Sequence, residues 1–262
     1  MKIALTHLNQ VWENPSLNFE LCEKVVAEAA SQGCDLVVFP EMTLTGFTSN
    51  VEKFSDDLTN LPNISNFQKI AKLNSINIIF GALTKSDTKF QNVAITVSST
   101  GLFLCLYSKI HPFSFSGEAE FIKSGDRPVT VDIGEFRIGL SICYDLRFSD
   151  LYNSYADNCN LVINIANWPK KRIDHWRTLI RARAIENQYF VAGVNRIGVD
   201  GNNIEYEKSS FITGPFGVVI KPLYESHYLS VYEIFPEEVA IQRSTFPVLK
   251  DRRIELYKEW LS

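Results

Sequence analysis

Three reactive side chains share one setting. Glu41 follows Leu36-Val37-Val38-Phe39-Pro40, Lys109 follows Phe103-Leu104-Cys105-Leu106-Tyr107-Ser108, and Cys143 follows Ile138-Gly139-Leu140-Ser141-Ile142. Each stands where an apolar strand should end. In layered α/β proteins ligands collect beyond the carboxyl ends of strands, so an acid, an amine and a thiol could meet at one sheet edge. Their chemistry is complementary. A cysteine attacks as the thiolate and needs either a lowered pKa or a base beside it. A partly desolvated Glu41 could take the thiol proton. Lys109 offsets negative charge and can donate to the oxyanion formed at an attacked carbonyl. The backbone N–H of Tyr144 would point the same way if a helix or tight turn starts there. Such a set suits attack on an amide or nitrile carbon, with ammonia expelled and a thioester or thioimidate left on sulfur.

Each residue also has a plainer reading. A glutamate at a strand end is commonly a helix cap, a lysine there snorkels to water, and a cysteine in an apolar run is a small core residue. Cys22 and Cys105 read as core residues, and Cys34 and Cys159 as fillers ahead of apolar strands.

The elements that must position these groups alternate short β-branched runs with longer helical ones. Strands are expected near 3–8, 35–40, 76–83, 92–98, 102–108, 129–133, 136–142, 161–165, 189–195, 206–213, 217–222 and 228–234. Thr100-Gly101 and Gly134-Glu135 read as hairpin turns. Asn14-Pro15 reads as a helix start, with Leu17, Leu21, Val25 and Ala29 on one face and Gly33 as the stop. Further helices are expected over 65–74, 147–157 and 172–188. Helices between apolar strands, with hairpins mixed in, predict a layered α/β fold with mixed sheets. Without a linker or fixed-period repeat, residues 1–262 read as one domain. The tail after Phe235 lacks a strong apolar period.

The wording around the three residues resembles the carbon–nitrogen hydrolase (nitrilase) superfamily. An apolar strand runs into Pro40-Glu41 and is followed by Thr45-Gly46-Phe47. A lysine is followed two residues later by a histidine in Lys109-Ile110-His111. The third motif reads Gly139-Leu140-Ser141-Ile142-Cys143-Tyr144-Asp145-Leu146-Arg147-Phe148. The resemblance implies a four-layer αββα sandwich, with Glu41 as general base, Lys109 as oxyanion-stabilising acid and Cys143 as nucleophile. It also implies a second glutamate in the loop 117–126, assigned to Glu118 with Glu120 as fallback. Pro112 and Ser149 depart from the family's usual Leu and Pro, which puts substrate shape in question rather than mechanism. The segments Ala166-Asn167-Trp168-Pro169, His175-Trp176, 181–188 and 195–202 resemble the omega-amidases of the bacterial YafV type. That implies hydrolysis of the terminal amide of short oxo-dicarboxylic monoamides such as 2-oxoglutaramate.

A small anionic substrate needs a compact pocket and one or two cationic or N–H donors. Tyr144, Phe113 and Trp168 are the candidate substrate-binding residues. Arg147 and Arg196 could hold a carboxylate, although ion pairs with Asp145 or Glu186 are the favoured expectation. Alternatives weighed are nitrilase or N-carbamoyl-amine hydrolase activity on the same triad, a Cys-His-Asn hydrolase using His111 or His175, and a non-catalytic binding protein on this fold. Helix 172–188 is expected at the seam of a homodimer, and His175 to be packed or at that interface.

Composition bounds the rest. Of 262 residues, 45% are hydrophobic and 21% charged, which is globular. The 26 basic and 30 acidic residues leave no basic footprint, so no nucleic-acid partner is expected. No apolar run approaches the ~18 residues of a membrane span, and Met1 to Gln10 do not form a signal peptide, which predicts a cytoplasmic protein. Five cysteines lack a CxxC pair and four histidines lack an i,i+4 pair, so neither metal nor cofactor is expected.

Overall fold

The computed structural model describes residues 1–57, 62–86 and 89–261. Strand β1 (Lys2–Thr6) leads to helix α1 (Pro15–Ser31), which starts where expected: the Asn14 side chain accepts the Leu17 N–H. Strand β2 (Leu36–Val38), helix α2 (Pro62–Asn74) and strands β3 (Asn77–Ser86), β4 (Lys89–Val97) and β5 (Phe103–Ser108) follow. A second group comprises β6 (Thr130–Ile133), β7 (Phe136–Ile142), helix α3 (Ser149–Tyr155), β8 (Leu161–Ala166), helix α4 (Ile173–Asn187), β9 (Phe190–Asn195) and β10 (Phe211–Thr213). Strands β11 (Tyr224–Glu225) and β12 (Leu229–Glu233) then precede helices α5 (Glu237–Thr245) and α6 (Ile254–Leu261).

Two mixed sheets result. The first runs β11-β12-β1-β2-β3-β4-β5; β1, β2 and β3 are mutually parallel, and Asp56–Asp57 pairs parallel to the far end of β3. The second runs β10-β9-β8-β7-β6, with β7, β8 and β9 parallel. Side chains alternate across a strand, so one apolar run serves two layers. Ala4, Val37, Ile78 and Phe80 pack on Val25 and Ala29 of α1 and on Phe67 and Ala71 of α2. Ile3, Leu5, Leu36, Val38 and Ile79 point the other way, into a core shared with Ile138, Leu140, Ile163 and Ile165 of the second sheet. That core continues to Tyr152 and Tyr155 of α3 and Trp176 and Ile180 of α4. The layering is the αββα sandwich that the resemblance implies. Gly193 in β9 permits the close approach of α4, because a Cβ there would collide with Ile180 and lie 2.6 Å from the Trp176 ring. Overpacking of that kind costs about 1–3 kcal/mol.

Three local expectations are corrected. The core face of α1 is Asn18, Cys22, Val25, Val26 and Ala29, while Leu17 is exposed. Asn18 takes an inward position because its side chain serves both backbone groups of Val11 and the Leu44 carbonyl. Residues 217–222 do not form a strand. They leave a tight turn closed by the Gly217 N–H on the Gly214 carbonyl and meet β10 at a single bridge, Val219 to Thr213. The tail is helical, in two short helices separated by Pro247. No helix among the described residues is long and apolar enough to cross a membrane.

Candidate active site

Glu41, Lys109 and Cys143 follow β2, β5 and β7, so the site draws on both sheets. Met42, just after Glu41, has a positive φ of 45°, and three backbone carbonyls at this bend need donors. Gln10 Nε2 supplies them, reaching Glu41 O at 3.2 Å, Met42 O at 2.8 Å and Thr43 O at 3.1 Å. Gly81 of β3 leaves room for the bend, since a Cβ there would lie 2.7 Å from Glu41 Cα and collide with the Met42 nitrogen. Cys143 opens a 3-10 turn, Cys143–Arg147, with φ of 46°, a region costly for a side chain with a Cβ. The turn expected at Tyr144 therefore exists, and its first N–H groups lie outside its own hydrogen bonding.

Glu41, Lys109 and Glu118 are all fully buried. Lys109 Nζ donates to Glu41 Oε1 at 2.9 Å and to Glu118 Oε2 and Oε1 at 2.8 and 3.1 Å. Two carboxylates around one ammonium leave a net negative charge away from water, which requires further donors. Asn92 Nδ2 bridges both acids, at 2.8 Å to Glu41 Oε1 and 2.9 Å to Glu118 Oε1. The Phe113 N–H reaches Glu118 Oε2 at 2.6 Å, and the Asn167 N–H reaches Glu41 Oε2 at 3.0 Å. Asn167 also meets Cys143, whose Sγ lies 4.0 Å from the Asn167 carbonyl oxygen. Glu118 heads the helical turn Glu118–Phe121, whereas Glu120 is exposed. The structure thus places Glu118, not the fallback, beside Lys109.

A cavity of about 80 Å³ opens over Cys143 and Lys109. Phe47, Phe113, Tyr144, Trp168 and Tyr206 are among its walls, with Arg147 and Arg172 as further cations. All three candidate substrate-binding residues line it. Trp168 also packs 5.4 Å from Trp176 and so belongs to the core as well. Neither His111 nor His175 lines the cavity.

The electrostatics bear on the two routes to a thiolate that the sequence leaves open. Burial alone would lower the Lys109 ammonium, but Glu118, then Glu41 and the Cys143 sulfur, outweigh it and hold Lys109 charged. Burial, and then Glu41, push the Cys143 thiol well above its ordinary value; Lys109 only partly opposes them. The resting sulfur is therefore a thiol, and a lowered pKa is not its route to a thiolate.

The arginine expectations are also corrected. Asp145 bonds to Tyr107, His111 and the Ile142 N–H, and Glu186 pairs with Arg183. Arg147 is left in the cavity wall, its guanidinium 4.8 Å from the Trp168 ring and its Nη2 3.3 Å from Nδ1 of the exposed His175. Arg196 is buried away from the cavity, donating to the Gln10 carbonyl and lying over Tyr206. Trp176 and Ile180 of α4 turn inward, and Cys105 is half-buried rather than a core residue. Sequence reading missed Asn92, Arg172 and Tyr206. An amide directly ahead of the apolar run Val93-Ala94-Ile95 was the available signal for Asn92.

Residues 2–241 match the carbon-nitrogen hydrolase family. A protein from Staphylococcus aureus named hydrolase in agr operon is 31% identical over 265 residues, covering 98% of this chain and 100% of that one. The 2-oxoglutaramate amidase of Paenarthrobacter nicotinovorans is 34% identical over 236 residues, covering 85% and 80%. Among solved structures, XC1258 from Xanthomonas campestris is a CN-hydrolase superfamily protein with an arsenic adduct in the active site. It matches with a TM-score of 0.89 at 29% identity, over 96% of this chain and 97% of that one. Likeness of this extent spans both sheets and every strand that presents the buried acid, amine and thiol, and by it this chain belongs to the carbon-nitrogen hydrolase family.

Proposed function

We propose that the chain is a thiol-dependent omega-amidase, hydrolysing the terminal amide of short oxo-dicarboxylic monoamides of the 2-oxoglutaramate type to the diacid and ammonia. One observation carries the reading. The buried Lys109, braced by two carboxylates, sits with Cys143 under a small cavity whose wall holds Arg147 and Arg172. Neither arginine has a carboxylate partner among the described residues. A compact pocket of this kind suits a substrate with an amide at one end and a carboxylate at the other. The similarity to a 2-oxoglutaramate amidase supports the same class.

Glu41 is the base. All the polar capacity of Glu118 is engaged by Lys109, Asn92 and the Phe113 N–H, whereas Glu41 Oε2 has one good donor, the Asn167 N–H. As Sγ adds to the amide carbon, its proton passes to Glu41 and the carbonyl oxygen becomes an oxyanion. Lys109 Nζ and the Tyr144 N–H donate to that oxyanion. Collapse breaks the C–N bond, Glu41 returns the proton to the leaving ammonia, and a Cys143 thioester remains. Glu41 then takes a proton from water as its oxygen adds to the thioester carbon; collapse breaks the C–S bond, Glu41 returns the proton to sulfur, and the acid leaves. Glu118 holds Lys109 in place through both halves of the cycle.

The five cysteines, all free, fit a cytoplasmic setting where thiols stay reduced. A homodimer remains part of the proposal; exposed Ile185 on α4, with Phe216 and Val218 on the turn that follows β10, offers apolar surface for it. The test is ammonia release from 2-oxoglutaramate, 2-oxosuccinamate, glutamine, N-carbamoyl-β-alanine and a simple nitrile. The two oxo monoamides should turn over fastest. Faster turnover of the nitrile or the carbamoyl compound, or release from none of the five, would overturn the assignment.

A further inference from the structure

Asp145 is a fully buried carboxylate that the proposed chemistry does not use. Its two oxygens accept four hydrogen bonds. Oδ2 takes the Ile142 N–H at 2.9 Å and the Tyr107 hydroxyl at 2.7 Å; Oδ1 takes the His111 N–H at 2.9 Å and His111 Nδ1 at 2.8 Å. A carboxylate can only accept, so Nδ1 carries the ring hydrogen. The placement of these donors is informative. Tyr107 and His111 lie two residues before and two residues after Lys109, and Ile142 immediately precedes Cys143. Lys109 comes from the first sheet and Cys143 from the second, so Asp145 is a polar tie across the gap between them.

The turn it holds needs holding. Cys143 has a left-handed φ, and a strained residue keeps its conformation only when its surroundings over-determine it. The Asp145 side chain reaches back to the N–H at the start of its own turn, and the His111 ring stacks on Phe148, just past the turn's end, at 3.8 Å. Burial, and then the Asp145 charge, keep Tyr107 protonated and therefore a donor.

We infer that Asp145 is a positioning residue: with His111 and Tyr107 it clamps the end of β5 to the nucleophile turn and so sets the Lys109 ammonium relative to the Cys143 sulfur. The inference rests on the proposed roles of Lys109 and Cys143, and it deepens them. Misplacing reacting groups by about 1 Å can cost on the order of 100-fold in rate, with little effect on groups that only bind substrate.

The test compares Asp145→Asn, His111→Ala, His111→Asn and Tyr107→Phe in the full chain. Two readouts are used: kcat and KM for 2-oxoglutaramate, and the rate at which iodoacetamide labels Cys143, followed by peptide mapping. Asp145→Asn and His111→Ala should lower kcat by about 10- to 100-fold with KM changed less than about threefold, and should alter the labelling rate. His111→Asn, whose amide can donate where Nδ1 does, should recover most of the loss. A folded Asp145→Asn with unchanged kcat and labelling, or a rise in KM alone, would overturn the clamp. Should Asp145→Asn not fold, His111→Ala and Tyr107→Phe decide, and wild-type behaviour in both refutes it. Labelling needs no substrate, so a wrong substrate assignment is distinguishable: it would leave ammonia release absent in every form, while the labelling differences persist.

Discussion

Glu118 engages the Lys109 ammonium with both carboxylate oxygens, at 2.8 and 3.1 Å, whereas Glu41 engages it with one, at 2.9 Å. Two acids of the same type, both fully buried and on one lysine, are thereby made unequal. Glu118 is saturated by its donors, whereas Glu41 Oε2 takes one short bond, from the N–H of Asn167, the residue whose carbonyl lies 4.0 Å from Cys143 Sγ.

The inequality predicts different losses from the same isosteric change. Glu41→Gln removes the proton acceptor, and kcat should fall by about 100- to 10,000-fold. Glu118→Gln loses only part of the grip on Lys109 and should retain more activity than Glu41→Gln at every substrate concentration. Steady-state ammonia release from both variants checks the order; equal losses, or the reverse order, would reassign the base.

Lys109 offsets two buried carboxylates, so its removal should be felt in stability as well as in rate. Lys109→Met leaves Glu41 and Glu118 facing each other across Asn92 with no counter-charge. Breaking a buried pair from one side costs about 3–5 kcal/mol. Adding Glu118→Gln to Lys109→Met removes one orphaned charge and should recover part of that loss without restoring activity. Urea midpoints of the two variants decide it, and a double variant no more stable than Lys109→Met would contradict the charge argument.

The backbone at Cys143 yields a third expectation. Both Cys143→Ala and Cys143→Gly should abolish amide turnover while the chain stays folded. At an ordinary helical position glycine is about 1 kcal/mol worse than alanine. At φ of 46° the alanine Cβ is the penalised group, so Cys143→Gly should melt no lower than Cys143→Ala. A clearly lower melting temperature for the glycine form would mean that the left-handed conformation is not what the chain holds there.

Much of this site was legible in the sequence because the strands ahead of its residues read as unbroken apolar runs: β2 is buried throughout and β7 nearly so, and β5, an edge strand with Phe103 and Leu104 exposed, is apolar all the same. Where such a run stops at Glu41, Lys109 or Cys143, a polar or thiol group is left at the strand end. The residues that tune the site were harder to see. Asn92 bridges two carboxylates, but an amide in a strand looks the same whether it caps a turn or braces an acid. Charge alone makes Asp145 an arginine partner, whereas the fold brings to it the hydroxyl and imidazole flanking Lys109. The core face of α1 was missed by one position because Asn18, a polar residue, is the one that faces inward and bonds to Val11 and Leu44. In each case tertiary hydrogen bonding, which has no period along the chain, overrode local pattern.

Away from the site, His7 gives the fold a defined acid sensitivity. It is fully buried, with Nε2 2.8 Å from Ser230 Oγ and Nδ1 without a partner. Burial lowers its pKa to about 4 from 6.5; Lys208 and His227 push the same way and Glu225 opposes them. Below pH 6.5 the unfolded chain therefore binds a proton that the folded chain refuses until about pH 4. Stability from this group is complete above pH 6.5, falls as the pH drops toward 4, and is level below that. The span corresponds to roughly 3 kcal/mol at most. His7→Gln, which can still bond to Ser230 but does not titrate, should be less stable than wild type at neutral pH, yet lose less on acidification. Urea midpoints of both forms at neutral pH and at about pH 5 measure the difference in slope. Parallel slopes would mean that His7 is protonated in the fold, with Glu225 rather than burial setting its charge.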